Sequence, residues 1–388
     1  MSPLSPAISE EHLDIGDIMR SLQSRVRQRA VTANQVNVLR GEEFDCAVRA
    51  FSRSTFDPQS RLDVVFVDES GIGEGAVDEG GPTREFCRLL MGQLQEHHIF
   101  EGPSESRTLA LDSVALHNGM YRLAGQMLAV CLIQGGVSPH FFSHRLFRQL
   151  CGLSPLEPSI EEVADPELQD KLRKIASAGT LEEAREAISG ATDELSVMGA
   201  LCYLNSMAQR DELMTAILEF YTEGRIHAAL QQFKEGLNTL GLLDELVVHH
   251  TSFEELFLKS TVELTAADIV GLFKPQFTSP RGSHKRRQES RAVAFWRDWL
   301  LEVEGGDAGL ISLPQVLIFA TGLKRVPAMG FQTQPELHFL HKDVDELAVF
   351  PTANTCSLII RIPVSSCYAP FKFAMEMGIG SSDQFGLQ

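Results

Sequence analysis

The chain has 388 residues, 44% of them hydrophobic, and carries a formal net charge of −18 at pH 7. This length can bury a core and accommodate two or more domains, whereas the acidic charge disfavours nucleic acid as a partner because it repels a polyphosphate backbone. The seven cysteines form no CxxC pair, which predicts reduced thiols and neither a disulfide framework, a bound metal nor a cofactor.

The sequence offers no segment that would place the chain in a membrane. No stretch approaches the roughly 18 consecutive apolar residues of a membrane span. The first residues, MSPLSPAISEEHLDIGD, lack the basic and then apolar pattern of a signal peptide. We therefore predict a soluble protein of the cytoplasm or the nucleus, with no membrane partner.

The N-terminal third is predicted to contain short elements after an irregular start. Residues 1–32 are assigned to a flexible lead-in because the first fifteen are rich in proline, serine and acids without periodicity. A mixed apolar and arginine-rich pattern predicts a helix from Ile15 to Val31. The apolar spacing in residues 38–51 predicts an amphipathic helix, and RLDVVFVDE, residues 61–69, predicts a strand.

The middle of the chain is predicted to be helical. A helix is expected to begin near Pro82, because PTREFCRLLMGQLQEHHIF repeats apolar residues at helical spacing. Residues 120–136 are apolar on almost every face, which indicates a buried helix. Residues 154–240 are acidic and lack strand signals, which indicates an α-rich region.

A connector is predicted at residues 274–291. The sequence KPQFTSPRGSHKRRQESR has few apolar residues, two prolines and a cluster of positive charge. Its basic run HKRR, residues 284–287, fits either a nuclear localisation signal or simple solvation. The following residues supply a helix, AVAFWRDWLLEV, and strand-like LHFLH and SLIIRIP.

The glycine-rich segment GIGEGAVDEGG, residues 71–81, resembles two ligand loops incompletely. No Gly-Lys-Ser/Thr follows it, so the cation of a phosphate loop is missing. A calcium loop would use Asp68, Ser70, Gly73 and Glu79, but Ile72 occupies a ligand position of that pattern. A structural glycine turn is the favoured interpretation.

Two pairs of adjacent histidines are also candidate metal ligands. They are His97 with His98 and His249 with His250. Adjacent side chains point in different directions on a helix or strand, so neither pair suits a shared metal ion. We predict solvated or partly packed histidines.

Cys356 is the strongest candidate for chemistry. Pro351, Asn354 and Thr355 favour a turn, and SLIIRIP then predicts a strand that enters the core. A thiol at such a junction can be exposed while its backbone is held in place. A thiolate is a nucleophile that needs no metal, and its thioesters react with amines. The alternative is an ordinary half-buried cysteine in a turn.

The segment around this cysteine, PTANTCSLIIRIP, resembles the active-site segment of HECT-type ubiquitin-protein ligases. The family pattern is Leu-Pro-x-Ala-x-Thr-Cys-Phe-Asn-x-Leu-x-Leu-Pro, and this sequence matches it at Pro351, Ala353, Thr355, Cys356 and Pro363. Four further segments resemble the family in the same order: RLDVVFVDESGIGEGAVDEGGPTREF (61–86), FKEGL (233–237), AFWRDWL (294–300) and FATGLKRVPAMGF (319–331).

The resemblance implies an α+β, bilobal HECT-like fold. A larger, mostly helical N-lobe would span residues 33–273 and include a region, about 155–215, that binds a conjugating enzyme. Residues 274–291 would form the flexible hinge, and residues 292–388 would form the smaller α/β C-lobe that carries the cysteine.

The resemblance also implies a two-step transfer. Ubiquitin would pass from a conjugating enzyme to Cys356 as a glycyl thioester and then to a lysine of a protein substrate. Thr355, Asn354 and Phe385 would support this step, and the partners would be ubiquitin, the conjugating enzyme and the substrates.

Two alternatives to a ligase stay open, and departures from the family pattern favour the first of them. Asn354 stands where the family has histidine, and Ser357 and Leu358 replace phenylalanine and asparagine. These changes would suit a catalytically weak or inactive HECT-like module that binds ubiquitin or a conjugating enzyme. A thiol hydrolase would need a histidine beside the sulfur, for which His338 and His341 are the candidates.

Overall fold

A computed structural model describes residues 14–28, 33–68, 73, 78, 80–260, 262–309, 311–341 and 349–382. The chain forms two compact units. The first comprises Met1–Gln93, Val130–Ser138 and Ser260–Gln388, and the second comprises Leu94–Ala129 and Pro139–Lys259. These units are compact parts of the fold, and the lobe boundaries at residues 33–273 and 292–388 stay a prediction.

The described residues are mostly helical. In chain order the helices are α1 (Ile15–Ser24), α2 (Glu43–Phe51), α3 (Gly81–Glu96), α4 (Ser113–His117), α5 (Met120–Gly135), α6 (His144–Cys151), α7 (Pro166–Ser177), α8 (Leu181–Ser189), α9 (Thr192–Val197), α10 (Met207–Glu219), α11 (His227–Leu237), α12 (Leu242–Val248), α13 (His250–Phe257), α14 (Ala266–Leu272), α15 (His284–Gly305), α16 (Leu313–Thr321) and α17 (Tyr368–Ser382). The strands are β1 (Asn34–Leu39), β2 (Leu62–Val67), β3 (Phe100–Glu101), β4 (Thr108–Leu109), β5 (Lys274–Pro275), β6 (Glu336–Leu340), β7 (Thr352–Asn354) and β8 (Ile359–Pro363). Helices and separate small sheets confirm the predicted α+β class.

The first unit begins with a packed helix instead of a flexible lead-in. Ile18, Met19 and Leu22 of α1 are buried, and Gln23 Nε2 donates to the Ile133 carbonyl at 3.4 Å. The helix predicted from Ile15 to Val31 is confirmed for α1, Ile15–Ser24, because its apolar residues recur at helical spacing and reach the core. The wider assignment of residues 1–32 to a flexible lead-in therefore does not hold for residues 14–28. The rest of the predicted lead-in lies outside the described residues.

Strands β1 and β2 form a parallel pair, with Asn34 opposite Leu62 and Leu39 opposite Val67. The strand predicted at residues 61–69 is confirmed. The helix predicted at residues 38–51 is wrong at its start, where the chain is still in β1 and α2 begins only at Glu43. Alternation of valine with polar residues in NQVNVL is a strand pattern, and the turn residue Gly41, with φ of 86°, separates the two elements.

The C-terminal part of the first unit surrounds a four-stranded sheet. The strand order is β5-β6-β8-β7, with β5, β6 and β8 parallel and β7 antiparallel to β8. Helices α14 to α17 and this sheet share one apolar core, here called the C-terminal core, which extends from Ala266 to Ile379 and includes the buried rings of Trp296 and Trp299.

Residues 274–291 include strand β5 and the start of helix α15, so this segment is more regular than the predicted connector. β5 pairs with β6, the Arg286 guanidinium lies 3.3 Å from the centroid of the Phe277 ring, and Ser283 caps α15 by accepting from the Arg286 amide. HKRR is therefore the first turn of a helix. One boundary between the two units lies between Lys259 and Ser260. The polar residues of segment 274–291 cover the solvent side of short regular elements, and its role as a hinge between lobes stays a prediction.

A buried carboxylate fastens this segment to the sheet. The Glu289 side chain has no exposed surface, and its Oε1 accepts from the Thr278 hydroxyl and from His341 Nε2, the latter at 3.2 Å. Burial raises the pKa of Glu289, but the hydrogen bonds from Thr278 and His341 outweigh this effect, so its pKa lies below the ordinary value.

We expect Glu289→Gln to lower the free energy of unfolding by about 1–3 kcal/mol at neutral pH, because buried donors lose a charged acceptor. A lowered folded pKa stabilises the protein above the ordinary glutamate pKa, and this contribution disappears as the pH falls through the folded pKa. The difference in unfolding free energy between the variant and the wild type should therefore shrink in acid. Urea unfolding at neutral pH and at a pH below the folded pKa of Glu289 measures this difference. Glu304→Gln, an exposed position on the same helix, is the control; an equal effect of both variants would contradict the assignment.

The second unit is predominantly helical. Helices α7 to α10 enclose their own apolar core, which includes Leu172, Ile175, Leu195 and Ile217. Elsewhere in this unit α5 and α11 cross at their glycines: a Cβ atom on Gly236 would lie 1.8 Å from the Arg122 carbonyl oxygen. Within the described parts of both units, no helix combines the length and the apolar character that crossing a membrane requires.

Candidate functional site

Cys356 lies in the tight loop that joins β7 to β8. The last residue of β7, Asn354, is opposite the first residue of β8, Ile359. The Asn354 side-chain oxygen accepts a hydrogen bond from the Ser357 amide at 3.0 Å, which closes the turn around the cysteine. The predicted position of the thiol at a turn that leads into a core strand is thus correct.

Leu358 anchors the other end of this loop. Its side chain is buried and its φ is 56°, a left-handed conformation that costs roughly 1 kcal/mol or more for a residue other than glycine or asparagine. Its carbonyl accepts from the Glu336 amide of β6 at 2.9 Å. The asparagine of the family pattern suits this conformation, and here burial of a leucine side chain offsets its cost.

The N-terminus of α3 lies directly against the cysteine. A Cβ atom on Gly81 would lie 2.5 Å from Cys356 Sγ and 2.9 Å from Thr355 Oγ1. Only glycine permits this approach without displacing the loop. The sulfur therefore lies beside the N-terminus of a helix, which carries a partial positive charge.

Asp78 shapes the segment that leads into α3. Its carboxylate is buried and accepts from the Val64 amide and the Gly80 amide, each at 2.8 Å. The Thr83 hydroxyl also donates to it. The aspartate therefore ties the start of α3 to β2. Ser70 and Glu79, which the calcium-loop interpretation needed, and Ile72, which argued against it, lie outside the described residues.

Arg84 connects α3 to two carbonyls in the C-terminal part of the first unit. Its Nε donates to the Thr321 carbonyl at 3.1 Å, and its Nη2 donates to the Thr355 carbonyl. Burial lowers the pKa of Arg84, while Cys356 and Asp78 act in the opposite direction. An arginine guanidinium stays protonated in proteins, so a positive charge lies within electrostatic reach of the thiol.

The half-buried Cys356 lines a cavity of about 210 Å³. Asp78, Thr83 and Arg84 form part of its wall, and Gln23 of α1 and Gln134 of α5 form another part. The thiol is therefore not sealed within the C-terminal core. Four other cysteines are buried: Cys46, Cys87, Cys131 and Cys151.

The histidines considered from the sequence lie elsewhere. His338 Nε2 lies 2.8 Å from a Glu336 carboxylate oxygen, and His341 hydrogen-bonds to Glu289. No histidine is among the described residues that line the cysteine cavity, so the geometry does not support the thiol hydrolase. Among the described side chains, no group of histidine, cysteine and carboxylate residues could hold a metal ion.

The sequence located some of these site residues and missed others. Thr355 and Asn354 flank the cysteine in the same turn, whereas Phe385 lies outside the described residues. Gly81 and Arg84 lie in the segment 61–86 that resembles the family, and Thr321 lies in the segment 319–331. The sequence predicted no contact of these residues with the cysteine loop, and Thr321 contributes a backbone carbonyl, which no side-chain pattern encodes.

Residues 86–388 match the family model of the HECT domain (ubiquitin-transferase). The chain belongs to the HECT family. The resemblance inferred from the cysteine segment is therefore confirmed. Gly81 and Arg84 precede the matched part of this HECT domain by a few residues.

Curated relatives of this HECT domain are ubiquitin ligases by name. A G2/M phase-specific E3 ubiquitin-protein ligase of Homo sapiens is 30% identical over 359 residues, which cover 92% of this chain and 47% of that protein. Its counterpart in Gallus gallus is 28% identical over 98% of this chain and 50% of its own length. The E3 ubiquitin-protein ligase TOM1 of Saccharomyces cerevisiae is 21% identical over 91% of this chain and 11% of its own length. The chain thus spans about half the length of the first two relatives.

Proposed function

We propose that this HECT domain is a ubiquitin-protein ligase that accepts ubiquitin from a conjugating enzyme as a thioester on Cys356 and transfers it to substrate lysines. The observation that carries the proposal is the placement of the Cys356 sulfur, held in a tight turn beside a cavity and the N-terminus of α3. Family membership and the names of the relatives support the same activity.

The chemistry fits a positioned thiol without a cofactor. In the first step the Cys356 thiolate attacks the thioester of the conjugating enzyme, a new C–S bond forms, and the conjugating enzyme's sulfur leaves with the electron pair. One thioester replaces another, so the barrier depends mainly on bringing the two sulfurs into line. In the second step a neutral lysine amine attacks the carbonyl carbon, the C–S bond breaks, the electron pair returns to Cys356, and the amine proton passes to a base in solution.

Residues beside the cysteine support this assignment in different ways. Asn354 holds the turn through its bond to the Ser357 amide. The Thr355 carbonyl is fixed by Arg84. Phe385 remains a predicted aid to transfer near the chain end.

The conjugating enzyme is proposed to bind the helical region at about residues 155–215. This region has its own apolar core, yet it also exposes Val197, Leu201 and Tyr203 to solvent, at 89%, 47% and 70% of their surface. Exposed apolar side chains in one short segment are typical of a protein interface. Ubiquitin and protein substrates complete the proposed partners, nucleic acid is not expected, and the proposed location is the cytoplasm or the nucleus.

The decisive experiment is a test for a ubiquitin adduct. Incubation with ubiquitin, activating enzyme, ATP and a panel of conjugating enzymes should give an adduct that a thiol reductant releases. Cys356→Ala should abolish it, because the acyl acceptor is removed. Cys367→Ala, at an exposed cysteine of the same domain, is the matched control and should charge normally. An adduct that survives Cys356→Ala would refute the assignment, and a wild type that no conjugating enzyme charges would favour the binding module.

A further inference from the structure

We propose that Arg84 is a positioning residue that holds the Cys356 loop against α3 for the transfer of ubiquitin to lysine. The inference rests on the proposed function and adds a specific residue to it. Arg84 lies 272 positions before the cysteine in the sequence, and its side chain reaches the peptide group that precedes it.

The contacts of Arg84 fix one peptide plane. The guanidinium is a planar fork whose donors have a fixed relative geometry. One donor binds the Thr321 carbonyl at the end of α16, and another binds the Thr355 carbonyl. Because the Thr355 carbonyl and the Cys356 amide belong to the same peptide group, a bond to one fixes the orientation of the other.

The Thr321 carbonyl gives the fork a rigid reference point. Thr321 is fully buried, and its hydroxyl donates to the Leu317 carbonyl at 2.7 Å. The next residue, Gly322, ends α16 with φ of 81°, which leaves carbonyls of the last turn free to accept other donors. Arg84 therefore ties the Thr355 end of the loop to a well-packed helix end.

Close packing on the other side limits the loop further. Gly81 leaves no room between α3 and the sulfur beyond the width of its own hydrogen atoms. Arg84 binds the loop to α3 through the Thr355 carbonyl, and the absence of a side chain at Gly81 determines the distance between α3 and the loop. Together they determine the direction from which an incoming amine can reach a thioester on Cys356.

The charge of Arg84 favours the same step. When the amine displaces the thioester, the C–S bond breaks and the electron pair remains on Cys356. Arg84 interacts electrostatically with Cys356, and Asp78 compensates part of its charge. A positive charge held near a thiolate leaving group stabilises the developing negative charge.

The rate of transfer to lysine should depend on the position of the Cys356 loop more than the rate of charging does. A conjugating enzyme brings its own protein surface to orient the two sulfurs. Free lysine has almost no such surface, so the orientation of the thioester must come from the loop itself. A misplacement of about 1 Å can cost roughly a hundredfold in rate.

The test is a single-turnover discharge assay on the full chain. The protein is charged with ubiquitin, charging is stopped, and free lysine is added while loss of the adduct is followed. We expect Arg84→Ala to charge nearly normally and to discharge about ten- to a hundredfold more slowly. Arg84→Lys keeps the charge but cannot span both carbonyls, so its rate should lie between those of the alanine variant and the wild type.

Arg53→Ala is the matched control. Arg53 also donates to a backbone carbonyl, that of Gln35 at 2.8 Å, but on the exposed surface of the same unit. It should discharge at the wild-type rate. Thermal unfolding midpoints of all variants are measured alongside.

Each other outcome has a defined meaning. If the wild type charges but Arg84→Ala discharges at the wild-type rate, the inference is wrong and the proposed function stands. If charging and discharge fall together with the thermal midpoint in both Arg84 variants, Arg84 is only structural and the inference is again wrong. If the wild type never charges, the proposed function fails and the inference fails with it.

Discussion

Gly236→Ala is expected to disrupt the second unit more than any other single-methyl change considered. The added Cβ would lie 1.8 Å from the Arg122 carbonyl oxygen and 2.8 Å from the Gln126 amide nitrogen. Both are backbone atoms of α5, so no side-chain rotation can relieve the overlap. The opposing residue Gly125 is also tightly packed, since its Cβ would lie 2.4 Å from the Phe233 carbonyl oxygen.

The helices must therefore separate, which costs packing along the whole crossing. We expect a loss of about 3 kcal/mol or more in the free energy of unfolding, measured by urea unfolding with far-UV circular dichroism. Gly92→Ala is the control, because a Cβ there meets no atom within 4 Å; alanine in an open helix position should stabilise by up to about 1 kcal/mol. Similar midpoints for the two variants would show that the helices do not cross as described.

Gly81→Ala is expected to impair lysine transfer strongly while leaving most of the fold intact. The new Cβ would lie 2.5 Å from Cys356 Sγ and 3.0 Å from the Cys356 amide nitrogen. The loop is short and partly exposed, so it is the element that moves. A shift of about 1 Å in the sulfur should lower the discharge rate roughly a hundredfold.

The measurement is the rate of ubiquitin discharge to lysine, with the thermal midpoint recorded for the same samples. Gly92→Ala on the same helix again serves as the control and should retain the wild-type rate. A wild-type discharge rate in Gly81→Ala would mean that α3 does not approach the sulfur during transfer.

The sequence predicted the local setting of the cysteine well. Turn-forming residues before Cys356 and β-branched residues after it are short-range signals, and the structure places a turn and a strand there. The α+β class came from the resemblance to HECT-type ligases and not from this local signal. Helix α5 was also predicted closely, because an almost wholly apolar run of that length has few alternatives.

The failures had physical causes. The connector was judged by polarity, yet α15 begins inside the charged run that was assigned to solvent. The pattern from Ile15 to Val31 did predict a helix, and α1 buries a narrow apolar stripe there, although the lead-in assignment extended over it. A few buried apolar residues are enough to stabilise such elements.

The contacts that position the cysteine could not have been predicted from the periodicity of the sequence. Gly81 and Arg84 meet Thr355 and Cys356 through the tertiary fold, across more than 270 residues of sequence. The bond from Arg84 uses backbone carbonyls, which every residue carries. Only the fold determines which of them the arginine reaches.

The conformation of Leu358 connects the reactive atom to the interior of the domain. One residue both completes the tight turn and fills a place in the apolar packing. Any change that lets its side chain settle deeper or shallower will be transmitted through two peptide bonds to the sulfur. Substitutions in the apolar packing around Leu358 can therefore change the reactivity of Cys356 as well as the stability of the domain.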